Sequence, residues 1–598
     1  MNKLIQCLEK FDILSEENGG INLKKKVIKI MMLEVSIILL ISFVATIPIF
    51  LNKSGVISGV GHEDWAFHFG RVRSIISALK QGELPVGGNY LDFASQGIGV
   101  NAVYPFFSLY LFIWPFLLPI RLKYSVFVFV FLLNFILAIN AWGFISEFTQ
   151  KIWIKISVTL LFIFNNYHLL LMYKRMALGE LLGYTMVPLV AWGLLRIWKN
   201  KKSGIILLAW GVSLIINSHI LSLVIVILAL ILVELTRIIG RKFNIMELKY
   251  ILSAALLTLP MASVTVYNFL TISLQNKYVT PAITIPLNDS SILPGIYLLD
   301  LKHILNPIPL TMLNAKTWNV SALLLILSVI AIVYLLAKRN VDNLYYILSG
   351  AVGLLLLVLS SNMVNWNFTE KINIFSSIRV IQFPGRLLMI AVLFLIIPII
   401  KLMIDIKLPT IKAAMMITIL IFLINGIMTI GRTTATYNNY LPEDIMTVGM
   451  NNQVFTTDYY PEAKLNKKAM TAAVRVSHSY IDGPITYGWS NPTFKSAQYQ
   501  IKVNTNKLPS YVVTPAIMYH GFQYDVRLNG HAVQWKRDAD YGTIAIKAKQ
   551  IHLTKLNKLE VTIKPLKFEM LLTIINGLTY LITMVVIACF FIKTKLAN

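Results

Sequence analysis

The stretch "VSIILLISFVATIPIFL", residues 35–51, carries no charged side chain. As a helix it rises about 1.5 Å per residue, enough to cross the hydrocarbon core of a bilayer. Lys24, Lys25 and Lys26 precede it, within a polar stretch of roughly 28 residues. A cleavable signal peptide would place its apolar core earlier and follow it with small residues. The expectation is therefore a retained first span with a cytoplasmic N-terminus.

Moving outward, the same pattern recurs. The chain has 598 residues, is 56% hydrophobic and only 14% charged, and has a mean hydropathy of +0.68. That excludes an ordinary soluble domain and indicates a polytopic membrane protein. Thirteen apolar segments are legible: 29–51, 103–119, 125–147, 154–172, 184–198, 205–218, 220–237, 247–272, 318–337, 343–361, 387–404, 411–430 and 568–592. Lysines at both ends place both termini inside, which requires an even number of crossings. One segment between 103 and 183 is thus either a non-spanning half-helix or an undivided pair. The net charge of +26 clusters at span ends, as at Arg196 to Lys202, Arg237 to Lys242 and Lys338-Arg339. This is the positive-inside pattern rather than a nucleic-acid footprint. Two cysteines, Cys7 and Cys589, make neither a disulfide framework nor a cysteine zinc site.

Residues 431–567 change character. "AQYQIKVNT", "YDVRLNGHAVQW" and "KLEVTIK" alternate apolar and polar side chains, the period of half-buried strands. Asn529-Gly530 is a hairpin signal, since both positions tolerate positive φ. The reading is a small antiparallel β-sandwich outside the membrane, with 17 Lys+Arg against 9 Asp+Glu. That excess suits lipid head groups or a wall polymer, or simply a solvated surface. The organisation expected is a cytoplasmic N-terminus (1–28), a transmembrane domain (29–430) with an outer loop at 52–102, the β-domain (431–567), and a final span with a tail (568–598).

Four polar clusters stand out at outer ends of apolar segments. In "GHEDWAFHFGRVRSIISALKQGELP", 61–85, a helix from about Asp64 to Lys80 stops at Gly82. Asp64, His68 and Arg71 share one face, beside a stripe of Trp65, Phe69, Val72, Ile76 and Leu79. The pattern suits an amphipathic helix on the outer membrane surface with its polar face in a cleft. Asp64 reads either as a helix cap or as a carboxylate base, with Glu63 second and His62 beside it. His68 and Arg71 would hold an anionic leaving group such as a lipid phosphate. In "NNYHLLLMYKRMALGELLGYTMVPL", 165–189, Arg175 and Glu180 are ionisable groups at membrane depth, a structural pair or part of a site. Their i, i+5 spacing does not share a helix face, and Gly179 permits a break between them. His219 in "IINSHILS" is either a hydrogen-bonded structural residue or a ligand contact. Arg386 in "RVIQFPGRLLMI" either grips a phosphate or snorkels to head groups.

These stretches together resemble the YfhO-like bacterial membrane proteins, a branch of the GT-C glycosyltransferases also described as 6-pyruvoyl-tetrahydropterin synthase-related. The resemblance rests on Glu63-Asp64 with His68 and Arg71, "GELP" at 82–85, "RMALGE" at 175–180, "NSH" at 217–219, "QFPGR" at 382–386, and the β-domain before a last span. Where the family carries tryptophan before the arginine, this chain has Gly385. The resemblance implies a GT-C-like fold of about 12–14 transmembrane helices with an extracytoplasmic β-sandwich, in a bacterial plasma membrane. It implies inverting hexosyl or N-acetylhexosaminyl transfer from a polyprenyl-phosphate-linked donor to an envelope polymer, glycolipid or polysaccharide. Asp64 would be the base, with Glu63 second, and His62, His68, Arg71, Arg175, Glu180, His219 and Arg386 would bind substrate. A divalent cation on Glu63-Asp64 is the one cofactor it leaves open. The pterin chemistry needs a three-histidine zinc site that nine scattered histidines do not supply. The other readings of the residues are a flippase of a lipid-linked precursor and a non-catalytic assembly scaffold.

Overall fold

The structure is a computed structural model. It describes residues 18–51, 64–85, 87–91, 95–278, 286–303, 308, 312–371, 381–406, scattered positions between 412 and 428, 459–465, 485–490, 492–505 and 507–597. The expected cleft residues His62 and Glu63 lie outside them, as does most of the segment 411–430.

Apolar runs fold as helices here because a bilayer offers backbone N–H and C=O groups no partner but each other. The principal helices are α1 (Asn18–Leu51), α2 (Trp65–Lys80), α3 (Leu122–Ser146), α4 (Ile152–Ile163), α5 (Leu178–Trp198), α6 (Ser203–Ile216), α7 (Ile220–Ile239), α8 (Ile245–Met261), α9 (Ala322–Ala337), α10 (Leu344–Leu359), α11 (Leu388–Asp405) and α12 (Glu569–Ala597). Among the described residues eight helices are long and apolar enough to cross a membrane. Two bent pairs, Ile152–Ile163 with Asn166–Arg175 and Ile245–Met261 with Ser263–Ser273, bring that to ten if each is one span. The chain is therefore a multi-pass membrane protein by helix length and composition.

Of the thirteen apolar segments, 103–119 is not a span. Pro105 and Pro115 remove backbone donors, and the segment breaks into short turns at Phe107–Leu109, Tyr110–Ile113 and Trp114–Leu117. Segment 205–218 is the fourteen-residue α6, shorter than a perpendicular crossing needs.

Helices α3, α5 and α11 form the buried centre, and α1 packs along α3. Polar rungs tie this centre together. Asn134 Nδ2 donates to Thr46 Oγ1 at 3.1 Å, Tyr173 OH donates to Ala45 O at 2.5 Å, and Lys155 pairs with Glu34 at 2.8 Å. Glycines allow the closest approaches. A Cβ at Gly193 would lie 2.4 Å from the Leu208 backbone nitrogen, so α5 and α6 touch backbone to backbone there.

Among its described residues the C-terminal β-domain has eight strands: β1 (Ile485–Ser490), β2 (Ser496–Val503), β3 (Tyr511–Ile517), β4 (Gln523–Leu528), β5 (His531–Ala532), β6 (Trp535–Arg537), β7 (Thr543–Lys547) and β8 (Asn557–Lys564). They form one five-stranded sheet, β1-β2-β8-β4-β5, and one three-stranded sheet, β3-β7-β6, with every pair antiparallel. Asn529 and Gly530 both take positive φ, +52° and +83°, in the tight β4–β5 turn.

The domain's core includes Tyr90, Ile98, Val100 and Ala102 from the first loop and Ile272 from the second bent pair. Tyr90 N donates to Phe494 O at 3.0 Å, and Ile517 N donates to Gln96 O at 2.8 Å. The early loop and the late domain thus share one core. That bears on the place of α2. The sequence reading puts it on the outer membrane surface, its apolar stripe against lipid or protein and its polar face in a cleft; in the structure that stripe packs on protein and the polar face is buried. Phe69, Val72, Ile75 and Ile76 join the core of the membrane helices, and His68, Arg71, Arg73 and Ser74 are buried too.

Candidate functional site

Helix α2 begins at Trp65 with Asp64 in the capping position. The Asp64 carboxylate makes no capping hydrogen bond. It turns instead to Arg175, 111 residues away, with Oδ2 2.5 Å from Nη2. Its side chain is 46% exposed, whereas that of Arg175 is 7% exposed. The cap reading of Asp64 is thus displaced by an ion pair at the rim of a buried cluster.

Local backbone irregularity delivers Arg175. After the bend of 48° near Asn165, residues Leu170–Arg175 form a π-helical turn, and Met176 takes the left-handed conformation at φ +46°. Helix α5 restarts at Leu178 and carries Glu180 in its first turn, where the helix dipole favours a carboxylate. The break that lets Arg175 meet Glu180 is therefore at Met176, not at Gly179. Gly179 has a different task. A Cβ there would lie 2.1 Å from the Tyr104 hydroxyl, so the missing side chain is where Tyr104 sits.

Glu180 is 2% exposed and fully engaged. Oε1 accepts from Tyr167 OH at 2.6 Å, and Oε2 lies 3.2 Å from both Arg175 Nη1 and Arg386 Nε. One carboxylate therefore anchors two guanidiniums, and it positions them rather than presenting an oxygen to a ligand. Arg386 opens α11 through the Pro384–Leu387 turn and is further held by Ile381 O (2.7 Å) and Gln382 Oε1 (2.8 Å). Trp318 lies under Arg175, and Phe383 under Arg386. The Arg175 guanidinium stands 4.6 Å from the Trp318 ring centroid, and a Cβ at Gly385 would lie 2.5 Å from the same ring. Glycine at 385 is what allows Trp318 into that place.

Arg71 is 1% exposed, donates to Tyr104 O (2.7 Å) and Pro105 O (3.1 Å), and stacks 4.5 Å from the Tyr104 centroid. It braces the turn at 104–105. His68 lies 5.4 Å from Tyr104, ring to ring, and its imidazole makes no hydrogen bond among the described residues. Burial first, then Arg71, His219 and Arg175, holds it well below the usual histidine range, with Glu180 opposing. These surroundings favour the neutral imidazole. His219 caps α7, its Nδ1 meeting Ser222 Oγ at 2.7 Å and Ser222 N at 3.2 Å, with its ring 5.8 Å from Tyr104.

The structure thus brings Asp64, His68, Arg71, Arg175, Glu180, His219 and Arg386 together around Tyr104. Tyr104, Tyr167, Trp318 and Gln382 escape a reading of the sequence. Each is an unremarkable residue in an apolar or loop stretch, and only the fold reveals its neighbours. Among the described residues no three His, Cys, Asp or Glu side chains are grouped as a metal site would require. Asp64 is committed to Arg175, and its expected co-ligand Glu63 lies outside the described residues. No protein-family model, curated protein or solved structure matches the chain.

Proposed function

We propose that this protein is a membrane glycosyltransferase of the GT-C kind, moving a sugar from a polyprenyl-phosphate-linked donor to a hydroxyl on an envelope polymer or lipid at the outer face. The observation that carries the reading is the shared guanidinium of Arg175, with Glu180 on one nitrogen and the half-exposed Asp64 on another. A donor phosphate arriving at Arg175 takes the place of the Asp64 carboxylate, which is exposed enough to swing away. Arg175 and Arg386 then face the phosphate with Glu180 behind them. The freed Asp64 accepts the proton of the acceptor hydroxyl as its oxygen bonds to the anomeric carbon. The bond from that carbon to the phosphate oxygen breaks, the electron pair leaves on the phosphate, and the guanidiniums stabilise the new charge. Attack opposite the leaving group inverts the anomeric centre. Neutral His68 is suited to accept a hydrogen bond from a sugar hydroxyl.

The test is sugar release from a labelled polyprenyl-phosphate sugar in proteoliposomes with a crude envelope extract as acceptor. Turnover that vanishes in a folded Asp64→Asn variant supports the reading. Full activity in that variant removes Asp64 as base. Absence of turnover with measurable flux of the labelled lipid across the vesicle replaces the transferase with a flippase. If neither turnover nor flux is seen, a scaffold remains.

A further inference from the structure

The segment Tyr459–Leu465 runs alongside the β-domain and ends against the candidate site. Its backbone is tied at many points. Lys464 N donates to Ala539 O at 3.0 Å and Leu465 N to Asp540 O at 2.9 Å, both in the β6–β7 turn. Arg537 Nη2 donates to Glu462 O at 2.9 Å, and Tyr519 OH donates to Tyr459 O at 2.8 Å. On the other side Glu462 N donates to Lys277 O at 2.6 Å, and Tyr460 OH donates to Gln96 Oε1. The segment is a strap fixed at both margins.

Its first residue reaches the site. The Tyr459 ring stacks on Phe67 at 5.6 Å and 19°, and meets Tyr104 edge-on at 6.3 Å. Phe67 is itself 5.7 Å from Tyr104 and 5.1 Å from His68. Phe67 and His68 sit about one helical turn beyond Asp64 on α2. Two of these rings, Phe67 and Tyr104, stand 5.1 and 5.4 Å from the His68 ring, and Tyr459 packs on both of them. An apolar wall with polar groups along its edge matches a pyranose ring, which offers C–H bonds on its face and hydroxyls around its rim. A polyprenyl tail would need no such edge.

We infer that the β-domain is part of the site, and that its strap holds Tyr459 as one wall of a sugar-binding subsite with Phe67 and Tyr104. This rests on the transferase reading and gives the β-domain its task there. Because backbone bonds hold the strap, the ring is presented with little ordering cost on binding.

The test compares the native chain with Tyr459→Ala and Tyr459→Phe in the proteoliposome assay. It also measures inhibition by polyprenyl phosphate bearing no sugar. Removing one aromatic partner should raise KM for the lipid-linked sugar about three- to tenfold in Tyr459→Ala. Tyr459→Phe, which keeps the ring, should stay within about twofold of native on the same scale. Inhibition by the sugarless phosphate should be unchanged in both. Equal weakening toward both lipids, or a fall in kcat alone, would assign Tyr459 to packing and overturn the subsite. Unchanged kinetics in Tyr459→Ala would overturn it as well, with the transferase reading intact. No turnover by the native chain would refute that reading first and the subsite with it.

Discussion

Replacing Glu180 by glutamine tests whether one buried carboxylate holds the site together. Its Oε2 is 3.2 Å from a nitrogen of Arg175 and 3.2 Å from one of Arg386. At an effective dielectric of about 20, each contact is worth roughly 5 kcal/mol of gross attraction. Desolvation of three buried ions offsets most of that, so the gross figure is not the stability at stake. Removing one partner of a buried pair costs about 3–5 kcal/mol, because the remaining charge is stranded. Arg175 keeps Asp64, and Arg386 keeps Ile381 O and Gln382 Oε1. Glutamine also keeps an acceptor for Tyr167 OH. The expected loss is therefore at the low end, about 3 kcal/mol, and larger for Glu180→Ala. Reversible unfolding in mixed micelles with increasing dodecyl sulfate measures it. With only Asp64 left as counter-ion, Arg175 should also hold that carboxylate more tightly, so turnover should fall further than stability alone explains. A change below about 0.5 kcal/mol, the usual range of a neutral surface substitution, would refute the anchoring role.

Three other perturbations follow from the geometry. Glu147 is nearly buried among Arg196 (2.8 Å), Lys199 and Lys201 (3.2 Å each). Burial raises its pKa, but these three cations outweigh that and hold it below the usual carboxylate range. Its contribution should be full above pH about 4.3 and lost as pH falls through the lowered folded value, so the stability gap between native and Glu147→Gln, measured by unfolding across pH 3–7, should close in acid. Gly179→Ala should cost about 1–3 kcal/mol through overpacking against Tyr104, and adding Tyr104→Phe should recover part of that; strict additivity in the double-mutant cycle would mean that the two do not touch. Gly530→Val should destabilise the β4–β5 hairpin by at least about 1 kcal/mol because valine resists positive φ, which local amide-exchange rates in β4 and β5 would report.

What the sequence discloses follows from how local each signal is. The long helices are legible because lipid demands continuous apolar runs. The β4–β5 turn is legible because Asn529-Gly530 is a two-residue signal. The extent of α2, and the co-location of Asp64, His68, Arg175, Glu180, His219 and Arg386, are legible as polar exceptions in apolar surroundings. The break at Met176 is not, since methionine carries no turn signal and its left-handed backbone is imposed by packing on both sides. The burial of α2 is hidden because its cover comes from distant segments: the Tyr104–Pro105 turn, the membrane helices and, last, Tyr459 and Phe494. Tyr104 and Tyr459 are invisible for a related reason: an aromatic residue in a greasy or strand-rich stretch has many bland uses. The carbonyl partners of Arg71, at Tyr104 and Pro105, are hidden too, since nothing in a charged side chain on a polar face says which backbone oxygens it meets.

The shared core of the first loop and the β-domain sets an order of events during synthesis. Tyr90 leaves the ribosome roughly 400 residues before Phe494, the residue whose carbonyl it binds. At about 5–20 residues per second, that is an interval of some 20–80 s. For that time Tyr90 and Gln96 lack their β-domain partners, whereas Arg71 and Asp64 already have theirs in Tyr104, Pro105 and Arg175. A nascent or truncated chain therefore presents the charged cluster without Tyr459 and the β-domain core beside it. Completion of the last strand is the step that closes the core shared by the first loop and the β-domain.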